Sequence, residues 1–341
     1  MAAQEGVFHQ RLNAVKIKSV IIPTPVWRWN DFLDMMHYRS LEEVRLENSW
    51  LAVGVFDGVH RGHQKIIKRL VTGAHENDAP AVILTFDPHP AKVFGRGDIK
   101  LLTLPGERAR LLGNLGVDAV VTHPFDMDVA NVTAFDFMKR IKTQLGLAHL
   151  VLGYDSTLGK DREGNAARLT EIGSELGYSV ETISALGDES GVISSTEIRK
   201  LISVGKVDEA ARLMGHPYQL QGLVGHGDQR GRTIGFPTAN LDYAREKVLP
   251  ASGIYACWAY VGDERHKAAV NLGTNPTFTP DKMTMNVEAF LLDFDRDIYG
   301  EALRLEFMAR LRDELKYTSV DALIKQIEKD VEQTRKLLGT E

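Results

Sequence analysis

The stretch GVFDGVHRGH, at residues 54–63, connects a predicted buried strand (Leu51–Phe56) to a predicted helix (Gln64–Ala74). Glycine lets the backbone approach a ligand closely, and the free amides at a helix N-terminus attract anions. Imidazole N–H groups of His60 and His63 can therefore hold the phosphates of a nucleoside triphosphate as charge grows on the leaving pyrophosphate. A metal site on these two histidines is the alternative, although the sequence offers no third ligand at a characteristic spacing.

Short apolar runs alternate with amphipathic runs from about residue 51 to residue 184. The other predicted strands are Ala81–Phe86, Asp118–Thr122, His149–Leu152 and Tyr178–Ile183. The other predicted helices are Glu107–Leu115, Ala134–Leu145 and Ala166–Leu176, and then one that begins at Ser194 and one over Val207–Met214. This alternation predicts an α/β domain with a parallel sheet, helices on both faces, and ligands at the carboxyl ends of the strands.

The residue composition of the chain changes after His216-Pro217. Runs rich in Val, Ile, Tyr and Phe are separated there by Gly, Pro, Asn and Asp, which is typical of a small antiparallel barrel or sandwich. The predicted strands are Gly253–Val261, Lys267–Leu272, Met285–Phe294 and Ala302–Leu311. An amphipathic helix over Thr318–Leu338 closes the chain, so the fold class is α/β plus β with a boundary near Gly215–Pro217.

Composition excludes several classes of protein. The 341 residues carry 41 Lys+Arg and 46 Asp+Glu, so the net charge of −5 lacks the basic footprint of a nucleic-acid binder. Cys257 is the single cysteine, which predicts a reducing, cytoplasmic setting without disulfides. We identify no membrane span or targeting segment, and the length predicts about two domains.

Two further N-terminal motifs carry candidate ligand-binding residues. The stretch TFDPHP, at residues 85–90, ends a predicted strand and places Asp87 and His89 at the same sheet edge as His60. The stretch ISSTEIR, at residues 193–199, offers Ser195, Thr196 and Arg199 at a helix start, where phosphate binding and simple capping are both possible.

The C-terminal half carries a second group of candidates. Thr238 and Asn240 are spaced so that a short turn can present two oxygen ligands to the Mg²⁺ that accompanies ATP. Gly231 and Arg232 belong to a glycine-rich basic loop that can wrap phosphates. Glu288 lies in an apolar strand, where a partly desolvated carboxylate can act as a general base; an outward-facing strand residue is the alternative.

With these motifs in order, the chain resembles the prokaryotic bifunctional riboflavin kinase/FMN adenylyltransferase family, also called FAD synthetase. The resemblance covers roughly residues 40–338 and rests on six motifs: GVFDGVHRGH at 54–63, TFDPHP at 85–90, ISSTEIR at 193–199, GFPTAN at 235–240, NLGTNPTF at 271–278, and VEAFLLDF with IYG at 287–300. A single HxGH motif recurs in many nucleotidyltransferases, whereas six ordered motifs across both halves are specific.

The resemblance implies two ATP-dependent reactions in one chain. The C-terminal barrel would phosphorylate riboflavin to FMN, with Thr238 and Asn240 holding Mg²⁺–ATP and Glu288 activating the ribityl hydroxyl. The N-terminal Rossmann-like nucleotidyltransferase domain would transfer AMP from ATP to FMN, giving FAD and pyrophosphate. His60 and His63 would stabilise the triphosphate in that reaction.

The resemblance also implies domain limits and further ligand contacts. It implies an extension at residues 1–39, an adenylyltransferase domain at 40–214 and a kinase domain at 217–341. Arg199 would close over the triphosphate with Ser195 and Thr196. The other implied contacts to nucleotide or flavin are Gly54, Phe56, Asp57, Gly58, Asp87, His89, Asp155, Gly231, Arg232, Pro237 and Asn271.

One departure from the family keeps an alternative open. Where the family usually reads Phe-Arg-Phe-Gly after Gly-Tyr-Asp, this chain has Ser156, Thr157 and Leu158 before Gly159, so two aromatics and an arginine are missing from an expected flavin-side segment. A riboflavin kinase with a scaffolding or flavin-binding N-terminal half is therefore the second hypothesis. A nucleotidyltransferase acting on another phosphate is a third.

Overall fold

The structure is a computed structural model that describes residues 35–188, 191–227, 230–274 and 285–339. Residues 1–34 of the expected extension, residues 228–229 of the glycine-rich basic loop and residues 275–278 of the NLGTNPTF motif lie outside the described residues. The chain forms two compact units. The first comprises residues 35–99 and 105–192, and the second comprises residues 100–104 and those from 193 onward.

The first unit is built on a six-stranded parallel sheet with the strand order β1-β4-β3-β2-β5-β6. Its strands are β1 (Met36–Tyr38), β2 (Ser49–Val53), β3 (Ala81–Asp87), β4 (Ala119–Pro124), β5 (Leu147–Gly153) and β6 (Ser179–Ile183). Its helices are α1 (Arg61–Glu76), α2 (Pro90–Val93), α3 (Pro105–Gly113), α4 (Met127–Ala130), α5 (Ala134–Leu145) and α6 (Ala166–Leu176). Two short 3₁₀ helices, Leu41–Glu43 and Lys160–Arg162, and a small hairpin of β7 (Gly187–Asp188) and β8 (Gly191–Val192) complete the unit.

Two apolar cores cover the two faces of this sheet. Val82 and Leu84 of β3 pack into one core, and Ala81 and Ile83 of the same strand pack into the other. Because successive side chains of a strand point to opposite faces, a strand buried on both sides reads as a continuous apolar run. The predicted α/β fold with a parallel sheet is confirmed.

Residues that mark the end of a helix or strand explain why the sequence predicts some element boundaries correctly. The helices α5 and α6 match their predicted ranges, and each ends at a glycine with a left-handed backbone, Gly146 (φ 55°) and Gly177 (φ 74°). The strand β2 is shorter than predicted because the backbone at Phe56 has a φ of 50°, which no strand accommodates. Helix α1 begins at Arg61, earlier than predicted, because His60 caps it.

One strand of the sheet is absent from the predictions. The three residues of β1 pair in parallel with β4, with Met36 opposite Ala119. This strand lies before Ser40, so the sheet reaches into the segment that the resemblance assigns to an extension. A strand of three residues is too short to give a periodic signal in the sequence.

The second unit is built on a closed, six-stranded antiparallel barrel with the order β10-β13-β12-β11-β14-β9. Its strands are β9 (Tyr218–Gly225), β10 (Ala239–Tyr243), β11 (Gly253–Val261), β12 (Glu264–Thr274), β13 (Met285–Leu291) and β14 (Ala302–Arg312). Its helices are α7 (Ser195–Ser203), α8 (Val207–Met214), α9 (Arg230–Thr233) and the terminal α10 (Val320–Leu337). The predicted antiparallel barrel with a terminal helix is confirmed.

The barrel contains two strands that the sequence does not predict. Strand β9 alternates apolar residues with glutamine, and β10 carries Asn240 and Asp242, which are depleted in strands. Pairing with each other and with neighbouring strands overrides these weak local preferences. Strand β13 ends at Leu291, before the predicted Phe294, because Asp293 (φ 58°) turns the chain.

A buried ion pair fastens the terminal helix to the barrel. Arg312 at the end of β14 donates from Nε to Oδ1 of Asp330 on α10 at 2.9 Å and from Nη2 to Oδ2 at 2.6 Å. Asp330 is 3% exposed, and Gln326 also donates to it. Because the two charges satisfy each other inside the protein, loss of one leaves the other buried without its counter-ion.

We expect Asp330→Ala to lower the free energy of unfolding of the second unit by about 3–5 kcal/mol, because it leaves the Arg312 charge without its counter-ion. Urea denaturation followed by circular dichroism measures this change. Arg335→Ala is the control, since Arg335 makes a similar two-point contact with Asp293 at the surface, and its loss should cost less than about 1 kcal/mol. Equal losses in the two variants would contradict the anchoring role of Asp330.

Candidate functional site

The loop after β2 is held in a conformation that few sequences adopt. The amide of Gly54 donates to the carbonyl of Leu84 at 3.1 Å, which ties the start of the loop to the middle of β3. Phe56 (φ 50°), Gly58 (φ 82°) and Val59 (φ 42°) all have left-handed backbones. Such strain in non-glycine residues persists only where the surroundings enforce it, and it is concentrated at functional sites.

This loop delivers two histidines to the N-terminus of α1, at the carboxyl edge of the sheet. His60 is the N-cap residue, and its Nδ1 accepts the backbone N–H of His63 at 3.4 Å. The two rings stack with centroids 3.6 Å apart, and the ring of Phe56 meets His63 edge-on at 5.2 Å. Because Nδ1 of His60 is an acceptor, the neutral ring carries its proton on Nε2.

The surroundings of His63 favour its neutral form. Burial, the adjacent His60 and the guanidinium of Arg108 hold the pKa of His63 well below its usual value. Its Nδ1 is buried and has no hydrogen-bond partner among the described residues. A buried imidazole nitrogen without a partner is costly, and an arriving ligand group can satisfy it.

Arg108 is a site residue that the motifs do not reveal. It is 1% exposed on α3, and its Nη1 donates to Oγ1 of Thr85 at 2.9 Å. Thr85 in turn donates from Oγ1 to the carbonyl of Val55 at 2.9 Å, so a buried cation is linked to the loop that carries the histidines. The available signal is an arginine on the same helical face as Ala109 and Leu112, where an apolar residue is normal.

The structure places Asp87 and His89 at the carboxyl end of β3, on the same edge of the sheet. Asp87 is exposed and is the last residue of the strand. His89 caps α2 through its Nδ1, which accepts the N–H of Ala91 at 3.1 Å. Among the remaining predicted contacts of this half, Asp57 is buried and Asp155 is exposed in the loop after β5.

The residues that replace the expected aromatics support the loop itself. The hydroxyl of Ser156 accepts the N–H of Gly153 at 3.0 Å. Thr157 accepts a hydrogen bond from Nε of Arg162, and Leu158 is buried in the core beneath the sheet. Position 158 is therefore an apolar core position in this chain.

Ser195, Thr196 and Arg199 lie on α7, which belongs to the second unit. The N-cap is Ser194, whose hydroxyl accepts the N–H of Glu197 at 3.3 Å, so the predicted capping function of this motif is confirmed. Arg199 donates from Nε to the carbonyl of Lys100 at 2.8 Å.

A cleft of about 240 Å³ opens in the second unit and gathers several predicted residues of the barrel. Its lining includes the predicted residues Arg232, Pro237, Thr238 and Asn240. Acidic and basic side chains that were not predicted individually line it as well, namely Asp295, Arg296 and Asp297. Hydroxyl, amide and carboxylate oxygens are the ligands that Mg²⁺ prefers, so the donors on this cleft fit the ion.

Strand register relates Glu288 and Asn271 to Asn240, although neither of the two is among the residues that line the cleft. Glu288 on β13 pairs with Asn240 on β10 and with Asn271 on β12. Residues directly opposite in antiparallel strands have side chains on the same face, about 5 Å apart. Val287 and Ala289 point into the buried barrel interior, so Glu288, Asn240 and Asn271 form a row on the outer face. Glu288 therefore faces outward from the barrel, as the alternative expected, and its side chain is half-buried there.

Two glycines allow the backbone to pack against this row. A Cβ atom on Gly227 would overlap the side-chain amide of Asn240, and one on Gly231 would overlap the carbonyl of Phe236. By contrast, a Cβ on Gly225 would have no neighbour closer than 4.0 Å. Within the described ranges, no group of three or more His, Cys, Asp or Glu residues forms a metal cage.

Comparison with known proteins covers both units. A family model described as FAD synthetase matches residues 42–197, and one described as riboflavin kinase matches residues 214–338. A protein from Listeria monocytogenes named bifunctional riboflavin kinase/FMN adenylyltransferase is 38% identical over 290 residues, which are 84% of this chain and 92% of that protein. A protein of the same name from Bacillus subtilis is 33% identical over 305 residues, 88% of this chain and 96% of its own length.

A solved structure is similar along nearly its whole length. It is that of a protein named as a macrolide-efflux protein from Streptococcus pneumoniae, which is 32% identical, has a TM-score of 0.81 and covers 89% of this chain and 99% of its own. The efflux name belongs to the Streptococcus pneumoniae protein. In the part of this chain that the structure describes, none of the helices has the length and apolar character needed to cross a bilayer.

We expect the first unit to lose stability as the pH falls below about 6.5, the value for an unperturbed histidine. The folded pKa of His63 is lowered, so protons bind first to the unfolded chain and stability is lost as the pH falls from 6.5 through the folded pKa. Burial also lowers the pKa of His37 (to about 4), of His123 and of His149, which contribute in the same direction.

Urea denaturation at pH 7.5 and at pH 5.5 measures this effect. His63→Gln should make the stability of the first unit less dependent on pH than that of the unmutated chain, because one histidine that resists protonation is gone. An unchanged pH dependence in His63→Gln would contradict the neutral state assigned to this ring.

Proposed function

The chain belongs to the bifunctional riboflavin kinase/FMN adenylyltransferase family, and we propose how its residues carry out the two reactions. It is a transferase that phosphorylates riboflavin to FMN and joins AMP to FMN to give FAD, with ATP as the co-substrate. The observation that carries this conclusion is that one chain matches both family models, in order, over two separate stretches, residues 42–197 and residues 214–338. The matches therefore favour the bifunctional enzyme over a kinase with a scaffolding first unit.

The proposed kinase centre is the cleft of the second unit. Thr238 and Asn240 hold Mg²⁺ together with the phosphates of ATP, and the guanidinium of Arg232 neutralises phosphate charge. When bound, the ion draws electron density from the transferring phosphoryl group and screens its charge. The co-location of these three side chains on one cleft supports this assignment.

Glu288 is the proposed general base of the kinase reaction. Its carboxylate accepts the proton of the riboflavin hydroxyl as that oxygen attacks the γ-phosphorus of ATP, and ADP leaves. The register that sets Glu288 opposite Asn240 supports this, because it brings the base next to the proposed metal ligand. Asn271 and Pro237 complete the proposed flavin and nucleotide contacts, and Gly231 admits the phosphates.

The proposed adenylyltransferase centre is the loop and helix start of the first unit. Nε2–H of His60 and the ring of His63 stabilise the triphosphate while the FMN phosphate attacks the α-phosphorus of ATP and pyrophosphate leaves. Stacked imidazoles this close cannot both be charged at neutral pH, so at least one binds as a neutral hydrogen-bond donor. Nδ1 of His63, which no group in the described ranges satisfies, supports a ligand-binding role.

Other proposed contacts of the first unit lie in the same loop and at the carboxyl edge of its sheet. Gly54, Phe56, Asp57 and Gly58 shape the loop, while Asp87, His89 and Asp155 follow neighbouring strands at the carboxyl edge. We propose that Ser195, Thr196 and Arg199 bind the triphosphate, as the family resemblance implies. We also propose that the protein acts in the cytoplasm, since a chain whose one cysteine is buried suits a reducing compartment.

Separate variants test the two centres in the full-length protein. His63→Ala should stop FAD formation from FMN and leave riboflavin phosphorylation intact. Glu288→Gln should slow riboflavin phosphorylation by about a hundredfold or more and leave FAD formation from supplied FMN intact. Chromatographic separation of riboflavin, FMN and FAD after incubation with ATP and Mg²⁺ gives both rates.

Circular dichroism of each variant controls for folding. If a folded His63→Ala protein lost both reactions, or if folded Glu288→Gln lost both, the assignment of one reaction to each centre would be wrong. If His63→Ala still formed FAD at the unmutated rate, the role of the histidine pair would be wrong.

Gly227→Ala should weaken the kinase reaction alone. The new methyl group forces the amide of Asn240 away from the cleft, and misplacement of one such group typically costs between tenfold and about a hundredfold in rate. Gly225→Ala is the matched control, because its methyl group meets nothing closer than 4.0 Å. Comparable kinase rates in the two variants would contradict the placement of Asn240 in the kinase centre.

A further inference from the structure

Two hydrogen bonds at the start of the loop after β2 fix the chain on either side of one peptide group. The amide of Gly54 donates to the carbonyl of Leu84, and the carbonyl of Val55 accepts the hydroxyl proton of Thr85 at 2.9 Å. Leu84 and Thr85 are neighbours on β3, and both are fully buried. The loop is therefore bonded to the interior of the first unit before it reaches its strained residues.

The bond to Val55 constrains the residue that follows. The carbonyl of Val55 and the nitrogen of Phe56 belong to one planar peptide group, so fixing the first also fixes the second. Phe56 has a φ of 50°, a left-handed value that a bulky residue keeps only where its surroundings enforce it. Its ring meets the ring of His63 edge-on, with centroids 5.2 Å apart. The bond from Thr85 to Val55 thus supports the aromatic ring that packs against His63.

Arg108 determines the role of the Thr85 hydroxyl. Nη1 of Arg108 lies 2.9 Å from Oγ1 of Thr85, and both side chains are buried. A guanidinium carries N–H donors and no acceptor, so Oγ1 of Thr85 can only accept in this contact. The one proton of the hydroxyl is then directed to the carbonyl of Val55. A buried cation therefore orders the bond that holds the start of the loop.

The charge of Arg108 acts on the same histidine. Burial, the adjacent His60 and this guanidinium lower the pKa of His63. Burial, Arg39 and Arg108 likewise lower the pKa of His37, to about 4. A nearby cation disfavours a second positive charge. Arg108 therefore supports the neutral form of the ring whose surroundings it helps to fix.

We propose that Arg108 is a positioning residue for adenylyl transfer. It directs the hydroxyl of Thr85 onto the carbonyl of Val55, and this bond fixes the peptide of Phe56 and so the ring of His63. The guanidinium is 1% exposed, so it acts on the loop and not on the nucleotide. The inference rests on the role proposed above for the histidine pair, and every residue in it belongs to the first unit.

The test compares Arg108→Met, Thr85→Val and the double variant in the full-length protein. FAD formation from supplied FMN is measured against ATP concentration. Each single variant should lower the maximal rate of FAD formation between about tenfold and a hundredfold, as misplacing one reacting group does. KM for ATP should change less, because the histidines act on charge that grows in the transition state. The double variant should be no slower than the slower single variant, because Arg108 acts through Thr85.

Thr122→Val is the matched control. Thr122 is the register partner of Thr85 on β4, is also buried, and is hydrogen-bonded to Nε2 of His37 at 2.9 Å instead of to the loop. Loss of its hydroxyl should leave FAD formation unchanged. Thr85→Ser keeps the hydroxyl and should form FAD near the unmutated rate. Riboflavin phosphorylation should be unchanged in all of these variants.

Folding of each variant is checked by circular dichroism. Arg108→Gln, which removes the charge and has a shorter reach, is the second variant in case Arg108→Met does not fold. It should slow FAD formation in the same way, because its amide cannot replace the guanidinium at Thr85.

The outcomes separate this inference from the proposed function. The positioning role is overturned if Thr85→Val slows FAD formation no more than Thr122→Val does, or if Thr85→Ser is as slow as Thr85→Val. Additive losses in the double variant, or FAD formation at the unmutated rate in a folded Arg108 variant, overturn it as well. If His63→Ala stops FAD formation in the face of such results, the role of the histidine pair stands. If His63→Ala forms FAD at the unmutated rate, both that role and the inference fail.

Discussion

The hydrogen bond from the His63 amide to Nδ1 of His60 is the constraint on which the first unit's site depends. It starts α1, selects the proton-bearing nitrogen of His60 and stacks the two rings. The left-handed residues before it bring the chain out of β2 steeply enough to reach this geometry. Arg108 donates a hydrogen bond to Thr85, and Thr85 donates one to the loop at Val55. Folding therefore fixes the two rings, which form the proposed triphosphate site, before any nucleotide arrives.

In the second unit, strand register places the candidate side chains. Antiparallel pairing sets Asn240, Glu288 and Asn271 in one row, although they are far apart in sequence. Glycine at 227 then lets the loop after β9 pack against the Asn240 amide. Side chains on three bonded strands move little relative to one another, which suits a reaction that consists largely of positioning and charge neutralisation.

The sequence predicts elements whose ends are marked locally, such as α5 and α6 with their terminal glycines, and the motifs supply the residues of both proposed centres. It does not predict β1 and β10, because short strands with polar residues form only where neighbours pair with them. For a related reason, the sequence does not reveal Arg108 or the two acidic residues of the cleft, Asp295 and Asp297. Their importance comes from burial and tertiary proximity, and no spacing in the chain records either. The row of three barrel residues likewise depends on register.

Both centres belong to one chain, so the product of the kinase reaction is the acceptor of the adenylyl group. The most direct measurement is a time course of the purified full-length protein with riboflavin, ATP and Mg²⁺, with the flavins separated by chromatography. We expect FMN to rise first and then give way to FAD, with one ADP and one pyrophosphate released for each FAD. FMN that accumulates without FAD would contradict the adenylyltransferase centre, and unchanged riboflavin would contradict the kinase centre.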